Sequence, residues 1–137
     1  MRRMQIDFTH NPPAKHPDYL VFVEVYATRS SMMRALRRNP KGVVFDHSVI
    51  GTYRAACSHA TYKLPDYSVP CSTVLFNLHD LGDGTVAHEM THAALDTIRH
   101  VYSGNPMHHA KTEERLATQV GEYCRTFWDW WQNEEEE

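Results

Sequence analysis

Ser72-Thr-Val-Leu-Phe-Asn-Leu-His-Asp-Leu-Gly-Asp-Gly-Thr-Val-Ala-His-Glu-Met-Thr-His92 is the stretch in which the chain changes from one structural period to another. Ser72 to Leu78 is rich in apolar and β-branched residues and lies between Pro70 and His79-Asp80, which predicts a strand. Gly82 and Gly84 then supply a turn, with Asp83 or Thr85 as the helix cap. From there the apolar residues Val86, Met90, Ala93, Thr97 and Val101 recur at helical spacing, and Gly104 and Pro106 end the helix near Tyr102. A strand feeds directly into a long helix.

Upstream, the chain reads mainly as strands. Gln5 to Thr9 is a short one ended by Asn11-Pro12-Pro13, and Tyr19 to Tyr26 is a strong β-rich run expected near the centre of a sheet. Ser30 to Asn39 is helical, with Met32, Met33 and Leu36 on one face and Asn39-Pro40-Lys41-Gly42 as its stop. Val43 to Asp46 and Thr52 to Tyr62 read as further strands. Downstream, Thr112 to about Gln132 forms a last helix with Leu116, Val120, Phe127 and Trp131 as its buried stripe, followed by the solvated acidic run Glu134 to Glu137. The expected fold is α+β: a small twisted sheet with one early helix and two C-terminal helices, residues 1–137 forming a single domain.

Composition narrows the functional classes. A chain of 137 residues with a net charge of -3 and 42% hydrophobic residues is an ordinary globular domain, able to bury a core without a disulfide or a metal. The weak negative charge argues against broad binding to nucleic acid or to an anionic membrane, despite the local cluster Arg34, Arg37 and Arg38. Met1-Arg2-Arg3-Met4 leads into polar and turn residues rather than an apolar run, so the expectation is a cytoplasmic protein with no membrane span. Cys57, Cys71 and Cys124 are odd in number and irregularly spaced, which fits reduced thiols better than a Cys57–Cys71 bridge.

Ten histidines are unusual in such a chain, and two of them stand in a metal-ligand spacing. His88-Glu89-Met90-Thr91-His92 puts two imidazoles one helical turn apart on one face with a carboxylate beside them. Zinc takes such nitrogens at about 2.0 to 2.1 Å, and the glutamate then lies beside a metal-bound water as general base. Chance alone gives the spacing in about one in twenty chains of this composition, so context has to decide. A catalytic zinc needs a third protein ligand, and the last helix offers Glu113 and Glu114. Glu113 falls within the apolar stripe, whereas Glu114 lies near Ala117, Thr118 and Gly121, small residues that allow close helix approach; Glu114 is preferred.

Other residues carry weaker signals. Asp96 stands one turn beyond His92, where it could orient that imidazole. His108, His109, Tyr102 and Tyr123 are candidates for an oxyanion donor or a gate, with packing the simpler account. His47, Cys57, His59 and Cys71 form no recognised metal spacing. Trp128, Trp130 and Trp131 read as helix packing more than as a partner surface. The strand from Ser72 to Leu78, if it is a sheet edge, could hold an extended peptide as an added strand, and is otherwise interior.

Val86-Ala-His-Glu-Met-Thr-His-Ala-Ala-Leu95, then Glu114-Arg-Leu-Ala117 leading to Val120-Gly-Glu-Tyr123, resembles the small H-E-x-x-H zinc metallopeptidases of bacteriophages. The E-x-x-A spacing is also similar to the third-ligand helix of gluzincin-type families, including the repressor-cleaving ImmA/IrrE group. The likeness spans roughly Ser72 to Tyr123. It implies a minimal zincin fold, a Zn2+ cofactor held by His88, His92 and Glu114, Glu89 as catalytic base, and a protein or peptide substrate met in the host cytoplasm. The chain departs from ImmA/IrrE in lacking an N-terminal DNA-binding helix-turn-helix, in the surroundings of Glu114 and in its Trp-rich ending. Two other readings are a non-enzymatic phage accessory protein with a structural or vestigial zinc, and a zinc hydrolase acting on a non-peptide amide or a cell-wall peptide.

Overall fold

A computed structural model describes residues 1–38, 54–102 and 109–136. Within them the chain is α+β. Four strands, β1 (Arg2–Phe8), β2 (Tyr19–Tyr26), β3 (Ala56–Lys63) and β4 (Ser68–Asn77), form one mixed sheet, with α1 (Arg29–Arg37) early and α2 (Asp83–Val101) and α3 (His109–Glu136) at the C-terminal end. The expected strand Val43 to Asp46 lies outside the described residues. So do Thr52 and Tyr53, and β3 begins at Ala56.

The sheet order is β1-β2-β4-β3. β2 and β4 run parallel, with α1 and β3 between them in the chain, while β1 and β3 are antiparallel to their neighbours. The Ser72 to Leu78 run is therefore interior, lying between β2 and β3, and among the described strands β3 is the edge on that side. The strand also starts earlier than its Pro70 boundary suggests. Pro70 pairs only with Thr61 of β3, because the β2 ladder begins one residue later at Cys71, so the missing N–H falls past the end of β2. Cys57 faces α2 and Cys71 the opposite side of the sheet; both are free thiols.

β2 alternates between two cores. Tyr19, Val21, Val23 and Val25 pack with Val74, Phe76 and the helices α2 and α3, whereas Leu20 and Phe22 pack with Val69 and Cys71 on the other side. α1 covers part of that second face through Met32, Met33 and Leu36 against Ala56 and Leu75. It is started by a capping box, with the Ser31 amide donating to Thr28 Oγ1 at 3.0 Å. α3 packs Phe127 between Phe76, at 5.2 Å, and Trp131, stacked at 6.2 Å, so the Trp-rich ending is core packing. The helix is longer than its apolar stripe and continues through the acidic run to Glu136.

The turn from β4 into α2 is built on Asn77, which is fully buried. Its amide donates to the Arg54 carbonyl at 2.9 Å and to Asp80 Oδ2 at 3.0 Å, and its carbonyl oxygen accepts from the Asp80 amide at 3.0 Å. Asp80 in turn takes a two-point bond from Arg29 at 2.7 and 2.8 Å, which holds its carboxyl down at about 2. Removing Asn77 leaves these groups without their partner, so Asn77→Ala is expected to cost about 2 kcal/mol. The midpoint of urea unfolding measures it, and a loss below a few tenths of a kcal/mol would show that the turn holds without this side chain.

Candidate functional site

α2 begins at Asp83. Its N-cap is Gly82 in extended conformation, with the Val86 amide donating to the Gly82 carbonyl at 2.9 Å; neither Asp83 nor Thr85 supplies a side-chain cap. Asp83 instead sits in the first turn, where a carboxylate favours the helix dipole. Val86, Met90, Ala93, Ala94, Thr97 and Ile98 are buried, which fixes the rotation of the helix. His88 and His92 then point to solvent, and Glu89 falls at the boundary, 7% exposed.

The two imidazoles meet. His88 Nε2 and His92 Nε2 are 3.4 Å apart, with the rings crossing at 74°. Two nitrogens bound to one tetrahedral ion at 2.0 to 2.1 Å must be about 3.3 to 3.4 Å apart, and the observed separation equals that edge length. Burial lowers the His92 pKa, and the charges of His88 and His59 lower it further. That favours the neutral ring, the form that binds metal. Glu89 Oε1 lies 3.9 Å from His88 Nε2. Burial raises its pKa above the ordinary 4.5, opposed by the charge of His88.

Glu114 is elsewhere. It is exposed and lines a cavity of about 440 Å³ with Ile98, Tyr102, Phe8 and His10, at the far end of α2. Ile98 and Tyr102 follow His92 by six and ten residues, or about 9 and 15 Å of helix. The cause is topological. α3 returns after a short link, so its first turns face the last turns of α2, and Tyr123, two turns further on, reaches only Thr97, at 2.8 Å. No group of three or more His, Cys, Asp or Glu side chains among the described residues is arranged to hold a metal ion.

Asp96 does not orient His92. Its carboxylate accepts the Tyr19 hydroxyl proton and stands 3.5 Å from His59 Nδ1 and 3.6 Å from His100 Nε2. Ser72 completes the cluster through Tyr19 and through His59 Nδ1 at 2.9 Å. The network joins β2, β3 and β4 to α2, and Tyr19 is pushed far up by burial and by Asp96. His59 is the residue that sequence spacing could not place. It lies on the edge strand, close enough for its charge to act on His92, and only the packing of β3 against α2 brings it there. Cys57, two residues earlier, is likewise close enough for the charge of Glu89 to raise its thiol, although burial is the larger cause. Tyr102 bonds His10 at 3.1 Å and carries the Arg115 guanidinium over its ring, and Tyr123 is buried, so neither faces the histidine pair. His108 and the side chain of His109 lie outside what is described.

No family model matches the chain, and neither the curated proteins nor the solved structures contain a significant match to it.

The raised carboxyl of Glu89 has a stability consequence. An acid whose pKa is higher folded than unfolded favours folding at low pH and loses that advantage as pH rises through the folded value. Glu89→Gln in metal-free protein is therefore expected to leave Tm unchanged near pH 4 and to raise it by a few degrees at pH 8. Parallel thermal melts at the two pH values measure this, and an equal shift at both would remove ionisation as the cause.

Proposed function

We propose that this protein is a zinc-dependent metallopeptidase in which His88 and His92 hold the ion and Glu89 is the general base; Glu114, the third ligand expected from the sequence, is not brought to the pair. The observation that carries the reading is the 3.4 Å separation of the two Nε2 atoms, with the Glu89 carboxylate buried beside them. Zinc bound there would polarise a peptide carbonyl and make a water molecule more acidic. Glu89 would be the residue to take a proton from water and return it to the leaving amine, and its burial raises its basicity for the first task. β3, beside α2, has an outer edge that pairs with no other described strand, and an extended peptide substrate can add to it by main-chain hydrogen bonds.

The position of Glu114 favours a second reading, a non-enzymatic accessory protein with a structural or vestigial site made from the histidine pair alone. The two readings separate on metal content and turnover. In the peptidase, purified protein holds one zinc and His88→Ala loses it, while Glu114→Ala, at the far end of α2, keeps it. Glu89→Gln keeps the metal and the fold but abolishes cleavage of a casein-derived peptide mixture. Zinc retained in His88→Ala removes the metal site, and cleavage undiminished in Glu89→Gln overturns the mechanism.

A further inference from the structure

On the sheet face opposite α2 lies a cavity of about 710 Å³, within the range of small-molecule sites. Alternation along β3 separates it from the histidine pair: Cys57 and His59 look toward α2, while Ser58, Ala60 and Tyr62 line the cavity. Its floor is apolar, with Phe22 and Leu75 both buried. Its rim is basic. Arg34 and Arg38, one turn apart on the C-terminal half of α1, are exposed and have no acidic partner among the described residues. Arg3 contributes a third guanidinium from β1, against the single carboxylate of Glu24 at 3.9 Å, which also accepts from the Tyr26 hydroxyl at 2.6 Å. Three arginines and a single carboxylate among the lining residues leave a surplus of positive charge over an apolar floor.

The aromatic side chains add shape. Tyr62, which lines the cavity, remains 42% exposed although its ring centroid is 5.3 Å from that of Phe22, so part of a large aromatic side chain is accessible there. Ser31 and Thr73 add hydroxyl-bearing side chains to the lining. We propose that this cavity binds a small organic anion with a flat ring, of the nucleoside monophosphate class: the phosphate between Arg34, Arg38 and Arg3, the base against Tyr62. Guanidinium groups match phosphate oxygens in two-point bonds, and a base stacks on an aromatic ring without needing a particular sequence of donors. The concave shape and the apolar floor suit a compact ligand with a ring, where a flat basic surface would suit a polymer. The site is independent of zinc and of the assignment of Glu89.

Calorimetric titration of the full chain with adenosine 5′-monophosphate tests it, with adenosine and inorganic phosphate as half-ligands. Saturable one-to-one binding is expected, at least tenfold tighter than either half-ligand. The Arg34→Gln/Arg38→Gln double variant should weaken nucleotide and phosphate alike by tenfold or more, with Tm retained because both side chains are exposed. Tyr62→Ala should weaken the nucleotide and leave phosphate unchanged. Absence of saturable nucleotide binding, or binding indifferent to the two arginines, overturns the proposal; equal affinities for nucleotide and phosphate overturn the aromatic seat.

Discussion

The seating of α2 on the sheet is the constraint from which the other features follow. Ala93 and Ala94 are fully buried, as are Met90 one turn and Val86 two turns earlier, so the helix can lie close to β2, β3 and β4 in only one rotation. A larger residue at either alanine would lift the helix from strands that are already close-packed. With that face fixed, the remaining positions have no freedom. His88 and His92 project outward on adjacent turns, and Glu89, about 100° around from Met90, is held at the edge of the core, where burial raises its pKa.

The same seating closes a polar network that would otherwise be costly. Tyr19, Ser72, His59 and Asp96 come from three strands and one helix, and each finds a partner in the others. Among the described residues no buried side-chain nitrogen or oxygen lacks a hydrogen bond. A half-satisfied cluster of this kind would cost more than apolar packing, so its completeness ties the edge strand to the helix and sets their register. It also consumes Asp96, which leaves His92 free of a carboxylate partner on its own helix.

The sheet has two unlike faces. One is covered by two long helices over a continuous apolar core, with the histidine pair at the rim of that packing. Among the described residues the other carries the nine residues of α1 over part of its area, and the basic cavity occupies the ground beside that helix. A strand that contributes to both, as β3 does by simple alternation, places Cys57 and His59 near one site and Tyr62 at the other.

What the sequence determined by itself was local. The β-rich run of Tyr19 to Tyr26, the apolar stripe from Val86 to Val101 and the i, i+4 spacing of His88 and His92 depend on intrinsic period and on covalent spacing, and these elements and the imidazole contact stand where that spacing puts them. The α+β layout follows from the same order of elements. The tertiary structure decided everything that joins residues distant in the chain: that β4 is interior and β3 the edge, that Asp96 serves Tyr19 rather than His92, and that Glu114 stands at the opposite end of α2 from the imidazoles. A helical wheel gives the angle of a side chain about its own axis but not its height along a neighbouring helix. That height is set here by the short link to α3 and by the packing of Tyr123 on Thr97.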